Sequence, residues 1–85
     1  MKKITIYTTP YCPFCIRAKR LLKNKNIKFQ EIDLSEKPDQ FDVMSKKSNG
    51  ARTVPQIFVD DTHIGDCDYI HELDNQGKLD KILGI

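Results

Sequence analysis

Two strand-like runs flank an amphipathic helix within the first 34 residues, and that order leaves the chain little topological freedom. Lys3-Ile4-Thr5-Ile6-Tyr7-Thr8 is rich in β-branched and aromatic residues with little polar interruption, which predicts a buried strand. Phe14, Ala18, Leu21 and Leu22 then recur at helical spacing, with Arg17, Lys19, Arg20, Lys23 and Lys25 on the other face and Asn26 where the helix should stop. From Ile27 to Leu34 apolar residues alternate with polar ones, the signature of a second strand. Two strands joined through such a helix must run parallel, with a right-handed crossover.

The remainder continues the alternation of helix and strand. Ser35 is placed to cap a second helix, Pro38 fits its first turn, Phe41, Val43 and Met44 supply its apolar face, and Gly50 ends it. Gln56-Ile57-Phe58-Val59 predicts a third strand, Asp60-Asp61-Thr62 a tight turn, and His63-Ile64 a short fourth strand returning antiparallel. Asp66 or Cys67 opens a further helix carrying Tyr69, Ile70 and Leu73; Gly77 stops it, and Leu79, Ile82 and Leu83 form a last amphipathic turn or two. The expectation is an α/β fold of order βαβα-ββα, a four-stranded mixed β-sheet with helices on both faces, in a single domain over residues 1–85. No linker, repeat or low-complexity segment interrupts it.

Between the first strand and the first helix stands Cys12-Pro13-Phe14-Cys15. Two thiols three positions apart at a helix start can close and reopen a disulfide. Pro13 suits a first helical turn, where its missing N–H would have had no intrahelical partner. The open amides there point at Cys12 and favour negative charge, hence the nucleophilic thiolate. Cys15 lies one turn further in, more buried, and close enough to attack a disulfide formed on Cys12. Cys12 is the expected nucleophile and Cys15 the resolving thiol.

Three cysteines are an odd number, so a fully paired framework within one chain is excluded and at least one thiol stays free. A close cysteine pair in a reducing compartment is more often catalytic or metal-binding than structural. No apolar run approaches a membrane span and no secretory pattern follows Lys2 and Lys3, so the expected location is cytoplasmic, with no membrane partner. The net charge of +2 hides a split: residues 1–30 carry eight basic and no acidic groups, whereas the rest carries six basic groups and all twelve acids. The bland meaning is a solvated helix face; the sharper one is a positive field that supports the Cys12 thiolate and steers anionic substrates toward it. Nucleic acid is not an expected partner, because no aromatic residue interleaves with the basic helix face.

Three motifs together carry a family resemblance: Cys12-Pro13-Phe14-Cys15, then Arg52-Thr53-Val54-Pro55-Gln56-Ile57-Phe58, then His63-Ile64-Gly65-Asp66-Cys67-Asp68. In these motifs and their separations the chain resembles a glutaredoxin of the dithiol, C-P-F-C type, within the thioredoxin-fold superfamily. The resemblance implies a glutathione-dependent thiol–disulfide oxidoreductase that reduces glutathionylated mixed disulfides and protein disulfides. It implies glutathione as co-substrate and no tightly bound cofactor. It also implies a cis Val54-Pro55 bond that turns the Val54 backbone toward the cysteinyl part of glutathione. By the same resemblance Phe14 walls the groove, Thr53 lines it, and the helix start at Cys67 and Asp68 receives the γ-glutamyl end. Arg52 is the implied partner of the glycyl carboxylate.

Three positions depart from the family pattern. Thr9 stands where many members have lysine, which removes one cation; Phe14 replaces a frequent tyrosine; and Asp66 replaces the second glycine of Gly-Gly-Cys. The last sets a carboxylate beside the expected γ-glutamyl carboxylate and should weaken glutathione binding through like-charge repulsion, screened in part by solvent.

The third thiol, Cys67, reads mainly as a small packing residue, and His63 and His71 as side chains without catalytic duty. A zinc site built from Cys12, Cys15, Cys67 and a histidine has the right ligand count but lacks the usual two paired knuckles, so no metal is expected. Some related proteins hold an iron–sulfur cluster with glutathione, but Pro13 resembles the members that do not. Two rival functions remain: a glutaredoxin-like redoxin fed by thioredoxin reductase, whose usual aromatic, glycine- and arginine-containing ending is not found after Leu73, and a non-catalytic metal-binding or redox-sensing module. The expected partners are glutathione and glutathionylated or disulfide-containing proteins, with ribonucleotide reductase a partner at the level of the family only. The expected oligomeric state is a monomer.

Overall fold

In a computed structural model that describes residues 2–85, the chain forms β1 (Ile4–Thr8), α1 (Pro13–Asn24), β2 (Gln30–Asp33), α2 (Gln40–Lys47), β3 (Gln56–Val59), β4 (Thr62–Gly65), α3 (Cys67–Asn75) and α4 (Leu79–Leu83). The strands make one sheet in the order β2-β1-β3-β4. β1 pairs parallel with β2 and antiparallel with β3, and β3 pairs antiparallel with β4. The mixed sheet expected from the sequence is therefore present, and the last amphipathic turn or two expected at Leu79, Ile82 and Leu83 is the short helix α4.

Each face of the sheet buries its own cluster. On one side Ile4, Ile6, Ile57 and Val59 pack with Ala18 and Leu22 of α1, Ile70 and Leu73 of α3, and Leu79 and Leu83 of α4. On the other, Tyr7 and Phe58 pack with Met44 of α2 and with Leu34. Alternate residues of β1 feed opposite clusters, as the two-residue period of a strand requires.

All four helices end the same way. A residue with positive φ follows each of them: Asn26 (58°), Asn49 (59°), Gly77 (71°) and Gly84 (85°). In each, the amide of that residue and the amide after it fold back onto carbonyls of the last turn, as in Asn26 N–H to Lys23 O and Ile27 N–H to Leu22 O. This double closure satisfies carbonyls that the helix itself leaves unpaired. The hairpin uses the same backbone region, because Asp60 (φ 48°) and Asp61 (φ 68°) form a two-residue turn with Val59 opposite Thr62. Asp60 is held there by its own side chain, which accepts from Lys3 N–H at 2.8 Å.

Four local expectations are corrected. Ser35 does not cap a helix: its N–H and hydroxyl both donate to Asp33 Oδ1, at 2.8 and 2.6 Å, closing a turn that occupies the chain before α2. Pro38 lies in the following turn, where its carbonyl accepts from Phe41 N–H, and α2 starts at Gln40 after Asp39 without a side-chain cap. β2 is shorter than the alternation suggested, because Ile27 serves to close α1. Phe14 is half exposed; Cys15, Ala18 and Leu22 form the buried stripe of α1.

Gly65 joins β4 to α3 with φ 147°, and a Cβ placed there would stand 2.6 Å from Tyr69 Cδ2 and 2.8 Å from Tyr69 Cβ. Gly65→Ala should therefore cost about 1–3 kcal/mol, read as a lower urea midpoint at unchanged slope. Adding Tyr69→Ala should recover only part of the loss, since the contact with the Cβ of residue 69 remains.

Candidate active site

The end of β1 delivers the chain to α1 through Thr9, Pro10 and Tyr11, and Pro13 occupies the first helical position. Cys12, just before it, is extended (φ −107°, ψ 108°) and acts as the N-cap. Its Sγ accepts a hydrogen bond from Cys15 N–H at 3.1 Å, the place usually taken by an oxygen of serine or aspartate. The helix start thus directs its partial positive charge at that sulfur. Cys12 Sγ also lies 3.7 Å from Val54 O, and the Val54-Pro55 peptide bond is cis.

The two thiols occupy different environments. Cys12 is partly exposed, while Cys15 is buried with 1% of its surface accessible. Burial, reinforced by its hydrogen bond with Cys12, pushes the Cys15 thiol up to about 12, against smaller opposing contributions from the Thr9 backbone and Lys19. An accessible sulfur and a protonated one therefore sit one helical turn apart. That is the arrangement a dithiol exchange needs before the first attack.

Beside them opens a groove of about 270 Å³. Phe14 forms its wall from α1, Thr53, Val54 and Pro55 contribute the loop before β3, and Asp66, Cys67 and Asp68 contribute the start of α3. Six of the seven positions associated with glutathione by resemblance are thus brought together. Arg52 is not: its guanidinium lies 5.5 Å from the centre of the Phe41 ring and does not line the groove.

The family model "Glutaredoxin" matches residues 4–64, well over half of the chain. A glutaredoxin of Pseudomonas aeruginosa is 48% identical over 83 residues, covering 98% of both chains. The solution structure of a glutaredoxin from Brucella melitensis superposes with a TM-score of 0.84 at 44% identity, covering 98% of this chain and 89% of that one. A crystal structure of a buckwheat glutaredoxin–glutathione complex superposes with a TM-score of 0.85 at 31% identity, over 96% of this chain and 76% of that one. This chain belongs to the glutaredoxin family. Its architecture is accordingly the thioredoxin fold, and its chemistry is thiol–disulfide exchange.

In this glutaredoxin Asp66 plays a part that the sequence comparison with Gly-Gly-Cys did not suggest. Its backbone (φ −99°, ψ −169°) is extended and makes no demand for glycine, and its Oδ1 accepts from Tyr69 N–H at 2.9 Å as the N-cap of α3. Asp66 is both a cap and a carboxylate on the groove wall. The cap agrees with the sequence expectation that Asp66 or Cys67 opens this helix. Beyond the cap, the amides of Cys67 and Asp68 find no acceptor among the described residues.

A second layer holds the groove in place. Gln56 is buried; its Nε2 donates to Thr53 O at 3.1 Å and its Oε1 lies 2.7 Å from His63 Nε2. The amide orientation assigns the shared proton to His63 Nε2, and burial lowers the His63 pKa despite an opposing pull from Asp66. Burial raises the Glu31 carboxyl, but hydrogen bonds from Thr8 (2.7 Å) and Lys19 (2.9 Å) together outweigh it and hold the group below its ordinary value. Glu31 did not stand out in the sequence, where it is a surface acid, and Gln56 was read only as part of the third strand and of the motif around Pro55, without a role of its own.

Cys67 is buried, its thiol pushed up by that burial, and its carbonyl lies 2.8 Å from His71 Nδ1. Among the described residues no group of three or more His, Cys, Asp or Glu is placed to hold a metal ion. No helix among them is long and apolar enough to cross a membrane.

The exposure pattern of the three thiols has a direct readout. Iodoacetamide at about pH 8 should give one adduct per native reduced chain, at Cys12, and three adducts after unfolding in urea. Mass spectrometry counts them; modification of Cys15 or Cys67 in the native protein at a rate like that of Cys12 would contradict this environment.

Proposed function

We propose that this glutaredoxin uses glutathione as its reductant and acts on glutathionylated mixed disulfides and on protein disulfides. The observation that carries the proposal is the groove: it joins the neighbourhood of Cys12 Sγ, through Val54, to the unpaired amides at the start of α3. A γ-linked tripeptide has matching needs. Its cysteinyl backbone pairs with Val54 as an added strand would, and its γ-glutamyl carboxylate takes the Cys67 and Asp68 amides. The Asp68 carboxylate accepts from its ammonium, Phe14 covers one side, and Pro55 packs beneath. Arg52 takes the glycyl carboxylate once its side chain leaves Phe41. The buckwheat protein crystallised with glutathione supports this assignment by its likeness to the present chain.

In the first step the Cys12 thiolate attacks the glutathionyl sulfur of a mixed disulfide. The old S–S bond breaks, the target leaves as thiolate and takes up a proton, and Cys12 becomes glutathionylated. A second glutathione attacks that bond as thiolate, which yields glutathione disulfide and restores the Cys12 thiolate. With a protein disulfide, Cys12 first forms a mixed disulfide with the target. Cys15, after losing its proton, then displaces the target and forms the Cys12–Cys15 bond, which two glutathiones reduce. The reaction suits a reducing compartment such as the cytoplasm, and the proposed unit is a monomer.

The deciding assay follows NADPH oxidation on a glutathionylated substrate, once with glutathione and glutathione reductase and once with thioredoxin reductase. Turnover in the first arm is expected; turnover only in the second overturns the reading. Cys12→Ser should abolish activity on both substrate types, whereas Cys15→Ser should retain deglutathionylation and lose reduction of protein disulfides.

Asp66 allows a separate test of groove electrostatics. Asp66→Asn keeps a capping oxygen and removes the charge, so it should lower the KM for glutathionylated substrate at little cost in stability. Asp66→Ala should also lower KM but cost about 0.5–2 kcal/mol through loss of the cap. Equal KM in all three proteins would show that the carboxylate does not repel the substrate.

A further inference from the structure

A second cleft, chemically distinct from the catalytic groove, lies on the seam between α1 and α3. It encloses about 220 Å³ and is lined by Arg17, Arg20, Leu21 and Asn24 of α1 and by His71 of α3, with no carboxylate among them. Lys19 is neutralised by Glu31, and Lys25 by Asp74 and Asp80, whereas Arg17, Arg20 and Lys23 make no ion pair among the described residues, and of these three only the two arginines line the cleft. Two guanidiniums and a carboxamide are thus left facing a cleft without a counter-charge.

His71 lines the cleft without adding a donor to it. A carbonyl oxygen only accepts, so the 2.8 Å contact with Cys67 O takes the Nδ1 proton, and the donors left to meet an anion are those of Arg17, Arg20 and Asn24. The cleft is also tied to the catalytic groove. The Arg17 guanidinium lies 5.8 Å from the Phe14 ring that walls the groove, and Cys67, whose carbonyl holds His71, lines that groove too.

We propose that this cleft receives an acidic side chain of the polypeptide whose disulfide is presented to Cys12, so that the chain favours disulfides in acidic sequence. The proposal rests on the thiol-exchange function above and names its substrate class. A glutamate fits the chemistry: guanidinium forks bind its carboxylate in a planar, two-point manner, and Leu21 offers apolar surface to its methylenes. A nucleic acid fits less well, because no aromatic residue lines the cleft to stack a base.

Two glutathionylated peptides, identical except for Glu or Gln on either side of the cysteine, test the idea in the coupled assay. The wild type should show about a fivefold lower KM for the acidic peptide, and Arg20→Gln should bring the ratio close to one. Lys23→Gln removes the same charge from α1 outside the cleft and should leave the preference intact. Equal loss in the two variants would replace the site by a general field and overturn the proposal, as would the absence of any preference in the wild type. A cysteine-free acidic peptide titrated into reduced protein separates docking from turnover: NMR shifts at Arg20, Asn24 and His71 are expected even if neither peptide is turned over. No shifts there, or larger ones at the same residues with a single-stranded oligonucleotide, would overturn it.

Discussion

A helix begins with amides that have no partner within the helix, and in α1 one of them, that of Cys15, is directed at the sulfur of Cys12. The position of the reactive thiol therefore follows from the boundary of a helix and not from a flexible loop. The boundary is fixed in turn by Pro13, and the helix is fixed on the sheet by Ala18 and Leu22, both fully buried. Parallel pairing of β1 with β2 requires this helix to cross the sheet, so the carboxyl end of β1 must lie at the helix start. The nucleophile is placed by topology, and the same hydrogen bond gives Cys15 a folded backbone while its own sulfur remains buried and protonated.

The groove depends on elements far apart in sequence, and their legibility differs accordingly. β1 and β3 were plain because their side chains are dense in β-branched and aromatic residues and both are interior strands of the sheet. β2 is an edge strand with exposed or half-buried residues, so its alternation continued beyond its hydrogen-bonded length. Ile27 belongs to that apparent alternation yet closes α1, a role decided by backbone geometry and not by hydropathy. Ser35 was an adequate cap on composition; Asp33, two residues before it, captured it into a turn, a local side-chain competition that hydropathy does not reveal.

Asp66 shows how a substitution against a family pattern can be locally consistent. A glycine at this position suggests a backbone that needs freedom, but here the residue with positive φ is Gly65, one position earlier. Asp66 has an ordinary extended backbone, and its side chain meets the Tyr69 amide in place of solvent. Stability and ligand electrostatics pull in opposite directions at one side chain. The carboxylate favours the helix terminus for the same reason that a bound γ-glutamyl carboxylate would, and both are drawn to neighbouring amides of one N-terminus.

The charge asymmetry along the chain acquires a structural meaning once the pairs are known. Acids of the later segments reach back to neutralise Lys19 near Thr8 and Lys25 at the far end of α1, which ties α1 to β2 and to α3 and α4. Burial favours such pairing only where the cation is partly shielded, and both lysines are. Arg17 and Arg20, on either side of Lys19 in sequence, lie on the α1 face turned toward His71. With Lys19 and Lys25 paired, the Arg17 guanidinium beside Phe14 keeps positive potential near the place where a disulfide must arrive to reach Cys12. A uniformly basic helix would attract anions along its whole length; the lysine pairs lower that attraction at two positions. The anion-binding capacity left on this helix therefore belongs to Arg17, Arg20 and Lys23, and of these Arg17 stands beside the groove that leads to the sulfur.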